Sequence, residues 1–342
     1  MKQLIPLLAF SLLIGCDGEK GNVAPSKDSI EEATFKTKLK PVSVENPNLY
    51  YVIEGDTVTI TNCNKKASGE LIIPANIEGK PVTKIGEEAF YQCTNLTSIK
   101  IPDSVTSIGP STFKNCRSLT SITIPDGVTS IGGADFANCQ SLTSITIPDS
   151  VISIGINAFF RCTSLTSITI PDSVTSIGES AFVLCSSLTN ITIPDSVTSI
   201  GAFAFGGCTS ITKIEVGVEN VNYANVSGVL FNKDKTLLHA YPAGKAGANY
   251  VIPDSVTSIG NYAFAFCESL TSITIPDSVT SIGNETFSNC TGLSSITFLG
   301  DAPKIENDSF RESSPTIYRE AKAKGWGDTL AGRPVKLISE KP

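Results

Sequence analysis

Histidine is almost missing from this chain: His239 is alone among 342 residues, alongside one Met and one Trp. Acid–base and metal chemistry that titrates near neutral pH therefore lacks its usual carrier. Charge is scarce too, at 17% against roughly 25% in ordinary soluble domains. What charge there is leans acidic, 26 basic against 33 acidic residues for a net −7, which excludes a broad basic surface for nucleic acid. A phosphate-binding loop, a Gly-x-Ser-x-Gly elbow, a His-Glu-x-x-His helix and a Cys-x-x-Cys pair are all absent. No enzymatic activity, no cofactor and no metal is expected from such a chain. Disorder is excluded as well, because 41% hydrophobic residues is too many for an unfolded polymer.

Long apolar runs are missing apart from Leu4 to Ile14, interrupted by Pro6 and Ser11. That run is far below the roughly 20 residues a membrane-spanning helix needs, and after Lys2 it reads as a signal-peptide core. It ends Leu13-Ile14-Gly15-Cys16, which resembles the bacterial lipobox. The resemblance implies cleavage before Cys16, acylation of Cys16, and a chain held to the membrane through that anchor only. Residues 1–15 are then a lipoprotein signal peptide. Residues 16–46, polar and with no sustained apolar period, are the acylated cysteine and a flexible tether. The location expected is the bacterial cell envelope, at the outer membrane or cell surface.

What the chain has instead is repetition. Ile-Pro recurs at Ile101, Ile124, Ile147, Ile170 and Ile193, their numbers rising by 23 each time, and again at Ile252 and Ile275. Phe90, Phe113, Phe136, Phe159, Phe182 and Phe205 keep that period, as do Cys93, Cys116, Cys139, Cys162, Cys185 and Cys208. Three residue types in fixed phase mark a solenoid whose turns bury their apolar residues only against neighbouring turns. In the turn from Ile170, Leu188, Ile191 and Ile193 form a short strand, while Val174 and Ile177 point inward beyond Pro171-Asp172-Ser173. Ala181, Phe182 and Cys185 close the turn. The fold class expected is an α+β or β-rich repeat solenoid of 23-residue turns with short parallel strands.

The pattern Leu-Thr-Ser-Ile-Thr-Ile-Pro-Asp-Ser-Val-Thr-Ser-Ile-Gly-x-x-Ala-Phe-x-x-Cys resembles the bacterial BspA-like leucine-rich repeat family. The resemblance implies an N-terminal cap over 47–72, repeats over 73–215 and 252–310, and a C-terminal cap over 311–342. It also implies a surface or secreted protein that adheres to an extracellular macromolecule, a protein or glycan; the chain is expected to be a monomer. A structural spacer without a specific ligand, and an ice- or carbohydrate-binding repeat face, are the alternatives.

The period breaks between Ile193 and Ile252, whose numbers differ by 59, one turn of 23 plus 36 more. The extra segment, 216–251, has apolar runs at Gly228–Phe231 and Leu237-Leu238 around Asn232–Thr236, the signature of a β-hairpin. Strand alternation turns Ser98/Lys100, Ser121/Thr123, Ser144/Thr146, Ser167/Thr169, Asn190/Thr192, Lys213/Glu215, Ser272/Thr274 and Ser295/Thr297 outward. The candidate ligand-binding residues are thus Lys100, Thr123, Thr146, Thr169, Thr192 and Thr274 on the hydroxyl strip. Lys213, Glu215, His239 and Tyr241 join them at the insertion, provided its aromatics are partly exposed. The aspartates of the Pro-Asp-Ser turns read as backbone caps. The in-phase cysteines read as buried thiols, with stacked disulfides as the alternative.

Overall fold

The computed structural model describes residues 40–41 and 46–341. Cys16, the signal segment and most of the tether lie outside the described residues. Each turn is a triangle. One side is the strand of the Leu-x-x-Ile-x-Ile segment, and parallel pairing at the 23-residue interval joins Asn190–Ile193 to Lys213–Val216 and Ser272–Ile275 to Ser295–Phe298. The second side is a two-residue Ser-Ile strand, and Ser130–Ile131, Ser153–Ile154, Ser176–Ile177 and Ser199–Ile200 stack in parallel register.

Sequence sets the corners between these sides. Pro171 has no N–H to continue a ladder, and Val174 N–H closes a turn on the Pro171 carbonyl at 3.0 Å. The Ser173 hydroxyl donates to Val151 O of the previous turn at 2.7 Å, and Ser104, Ser150, Ser196 and Ser278 do the same. Serine, not aspartate, thus ties these corners. Among the described residues Asp195 is the one Pro-Asp-Ser carboxylate holding a backbone N–H, that of Glu219 at 3.0 Å. At the second corner a Cβ on Gly178 would sit 2.6 Å from the backbone of Gly155, so only glycine permits that stacking distance.

The third side is a tight turn, not a helix. Ser180 and Leu184 have φ of 56° and 61°, and the same two positions are left-handed in turn after turn, as at Asn157 and Arg161. A chain alternating handedness cannot propagate a helix, and among the described residues the helices are two 3₁₀ turns, Asn307–Phe310 and Ile338–Glu340. Inside, the Phe90 to Phe205 rings form a stack with centroids 5.3–5.8 Å apart. The nine described cysteines are buried free thiols. Cys185 Sγ donates to the Phe159 carbonyl at 3.1 Å, and the pattern repeats along the array.

The insertion is more than one hairpin. Tyr223–Val226 pairs antiparallel with Val229–Asn232, which pairs antiparallel with Leu237–Ala240, and that last strand rejoins the solenoid in parallel with Ser258–Ile259. Val229–Asn232 acts as a septum. Leu230 belongs to the core of the first half, while Val229 and Phe231 belong to that of the second. Tyr241 lies one repeat interval before Phe264 and is a rung of the aromatic stack, 5.2 Å from the Phe264 ring. Cys267 Sγ meets the Tyr241 carbonyl at 3.9 Å, where other turns use a phenylalanine carbonyl.

Candidate functional site

On the strand face, Lys100, Thr123, Thr146, Thr169 and Thr192 are exposed and Thr274 is half-buried. The neighbouring threonine column is already spent on the scaffold, because Thr120, Thr143, Thr166 and Thr189 donate to carbonyls one turn back at 3.0–3.4 Å. Among the described residues the hydroxyls of Ser121, Ser144 and Ser167 and of Thr123, Thr146, Thr169 and Thr192 make no side-chain hydrogen bond. They form a neutral strip of free donors and acceptors at strand spacing. The strip ends earlier than expected. Ser295 and Thr297 are buried, and Lys341 Nζ from the C-terminal segment donates to Thr297 Oγ1 at 3.1 Å. That row is part of the closing cap.

At the insertion the expected cluster divides. Lys213 and Glu215 are exposed and bound to each other, Nζ to Oε1 at 2.6 Å, a surface pair of little energetic weight. Tyr241 is 5% exposed, and Tyr223 and Phe231 are buried as well. The condition of partial exposure fails for these three rings because they pack the septum and the stack. The Tyr223 hydroxyl is spent on the scaffold, accepting from Ile200 N–H at 2.9 Å. His239 is half-buried with its ring edge-on to Tyr223 at 5.3 Å, and burial pushes its pKa down, so it is neutral at physiological pH. Burial likewise pushes the Tyr241 phenol up to about 12.

Three aromatics on the turn side were not among the expected site residues. Phe203 stacks on Tyr262 with centroids 4.3 Å apart, and Phe266 lies 6.2 Å from Phe203. The signal was present in the sequence. Subtracting the 36 of the insertion from the 59 that separate Phe203 and Tyr262 leaves 23, so the two occupy equivalent positions of successive repeats. Beneath them lies a cavity of about 310 Å³ lined by Phe203, Phe205, His239, Tyr241 and Tyr262 among others. No group of acidic, histidine or cysteine side chains suited to a metal occurs among the described residues. No helix there is long and apolar enough to cross a membrane.

Comparisons agree with this geometry. A leucine-rich cell surface protein from Faecalibacterium prausnitzii superposes with a TM-score of 0.61 at 28% identity, covering 88% of this chain and 96% of its own. A leucine-rich repeat protein from Bacteroides ovatus gives 0.57 at 28%, covering 80% and 78%. One from Eubacterium ventriosum gives 0.56 at 26%, covering 80% and 77%. No curated protein matches the sequence. The BspA type leucine rich repeat region matches residues 64–162, 129–227 and 244–319, and the chain belongs to that family.

Proposed function

We propose that this is a non-enzymatic, lipid-anchored module of the bacterial cell envelope that binds an extracellular macromolecule. The observation that carries the reading is the strip of unspent hydroxyls on a rigid periodic wall. Along most of its length the scaffold satisfies its own backbone, yet it leaves a regular polar face free. Such a face offers hydrogen bonds without the Trp, Tyr or Arg anchors of tight protein interfaces, which favours multivalent contact with a repetitive partner. The surface character of the Faecalibacterium prausnitzii protein supports the location.

Two experiments test the reading. Wild-type protein should partition with membranes and take up labelled fatty acid, and Cys16→Ser should do neither. Equal membrane recovery of the two, with no label in the wild type, would refute the anchor. Full-length protein should bind an array of glycans and matrix proteins saturably. An array without a saturable signal would favour a plain spacer.

A further inference from the structure

The turn side of the solenoid is held by a three-rung backbone ladder. Ser180, Phe182 and Leu184 donate their N–H groups to the carbonyls of Ala202, Ala204 and Gly206 in the next turn, at 3.1, 2.8 and 2.8 Å. The same trio recurs at Asn157, Phe159 and Arg161, at Ala134, Phe136 and Asn138, and beyond the insertion at Tyr262, Phe264 and Phe266. At one junction it is gone. The corresponding N–H groups of Phe203, Phe205 and Gly207 have no acceptor among the described residues. The insertion has pushed the next turn away, and the ladder resumes beyond it, where Tyr241 N–H donates to Ala263 O. Backbone donors are rarely left unpaired inside a fold, so this interruption asks what pairs with them.

The edge has an unusual polarity. Between Ala202 and Gly206 its carbonyls are all in use: those of Ala202, Ala204 and Gly206 accept from the preceding turn, and those of Phe203 and Phe205 accept from Gly206 N–H and Cys208 N–H. Only donors remain. A peptide adding as a strand needs both donors and acceptors along the edge, so it matches poorly. A ligand rich in acceptor oxygens matches well.

The cavity behind this edge supplies the rest of the specificity. Phe203 and Phe205 form part of its lining, opposite His239 and Tyr241, with Tyr262 beside them and no Lys, Arg, Asp or Glu in the wall. An anion would find no countercharge there, since the imidazole is neutral. The Phe203 arrangement is particular to this turn. Its left-handed φ of 60° is shared by Ser180, at 56°, one turn earlier, but its ring folds back over Gly206, where a Cβ would come within 1.7 Å of the ring. The other turns carry Tyr91, Lys114, Ala137, Phe160, Val183, Ala265 or Ser288 at the position of Gly206. Donors, an aromatic wall and no charge are the chemistry that receives a sugar ring, whose C–H face packs on aromatics and whose oxygens accept hydrogen bonds. The volume suits a compact ligand, near the lower end of the range of roughly 300–1,000 Å³ for small-molecule pockets.

We propose that the opened junction between the 201–208 turn and the insertion is a binding site for a neutral sugar residue of a glycan, with Phe203 and Phe205 N–H as donors and the Phe203–Tyr262 pair as the wall. This deepens the binding-module reading and rests on it.

The test uses full-length ¹⁵N-labelled protein. The probes are methyl glycosides of glucose, galactose and N-acetylglucosamine, inorganic phosphate, and an acetylated, amidated trialanine. At least one glycoside should shift the Phe203 and Phe205 amide resonances saturably. Phe203→Ala should weaken that binding about tenfold, the equivalent of one lost aromatic contact, whereas Glu70→Gln, an exposed side chain away from the cavity, should leave it unchanged. Removal of 216–251 places consecutive repeats at the 23-residue interval again, closes the ladder and should abolish the shifts, with circular dichroism confirming a folded chain. The proposal is overturned if no glycoside moves these amides, or if phosphate or trialanine moves them and the glycosides do not. Glycoside shifts confined to Ser167 and Thr169 would also overturn it, while leaving the binding-module reading standing.

Discussion

Asp135 shows the physical consequence of a single residue departing from its repeat. Its position holds Ala89, Ala158, Ala181 or Ala204 in other turns, or the hydroxyls of Thr112, Thr286 and Ser309, which donate to nearby carbonyls. The Asp135 carboxyl is buried; Oδ2 accepts from Gly132 N–H at 2.6 Å, while Oδ1 makes no well-formed hydrogen bond. Burial pushes its pKa up to about 7, against the smaller opposing pull of backbone N–H groups at Gly132, Thr112 and Ser111. In the unfolded chain the value is about 4. The folded state therefore favours the protonated form. Its contribution to stability is complete below about pH 4 and is lost as pH rises through about 7. Asp135→Ala should raise stability at pH 8 by about 1–3 kcal/mol and flatten the fall in Tm between pH 5 and 8. An unchanged pH slope in the variant would refute this. Among the rungs, Phe182→Ala should cost about 3–5 kcal/mol in urea unfolding. Phe205→Ala should cost less, because Phe205 stacks on Phe182 alone and faces the cavity on its other side.

At the scale of elements, the septum Val229–Asn232 makes two cores of one array. Repeat arrays are coupled through nearest-neighbour interfaces, and the interface at the insertion lacks its backbone ladder. Phe287→Ala should therefore unfold the second half at lower urea than the first, giving a broadened or two-step transition. The chain without 216–251 should unfold in one step with either core intact. A single sharp transition for Phe287→Ala in the full chain would contradict the two-core description. The period made the repeat legible, because strands, phenylalanines and cysteines share one phase in the sequence. Even the length of the insertion could be counted from the break in that phase. Burial of Tyr241 could also have been read, from its place one repeat interval before Phe264. What could not be read was the state of the backbone at the junction. Whether Phe203 N–H finds a carbonyl depends on how far the meander displaces the next turn, and no residue type reports that. The buried Ser295 and Thr297 were hidden for a similar reason: their alternation is that of exposed rows, but the C-terminal segment pairs Thr316 beside Ser295 and brings Lys341 onto Thr297.

As a whole molecule, the protein is a uniform wall with one interruption. The wall spends its threonine and serine hydroxyls on its own carbonyls along three columns, those of Thr166, Ser173 and Thr175, and leaves a neutral strip along another. At the interruption, unpaired donors, aromatic rings and a cavity meet. The insertion opens the backbone ladder at this one place among the described residues. Amide hydrogen exchange on the native chain tests it directly. Phe203, Phe205 and Gly207 should exchange much faster than Ser180, Phe182 and Leu184, their counterparts one turn earlier, since the first three have no acceptor and the second three do. Removing 216–251 should bring the two sets together. Equal protection of both sets in the intact chain would contradict the claim.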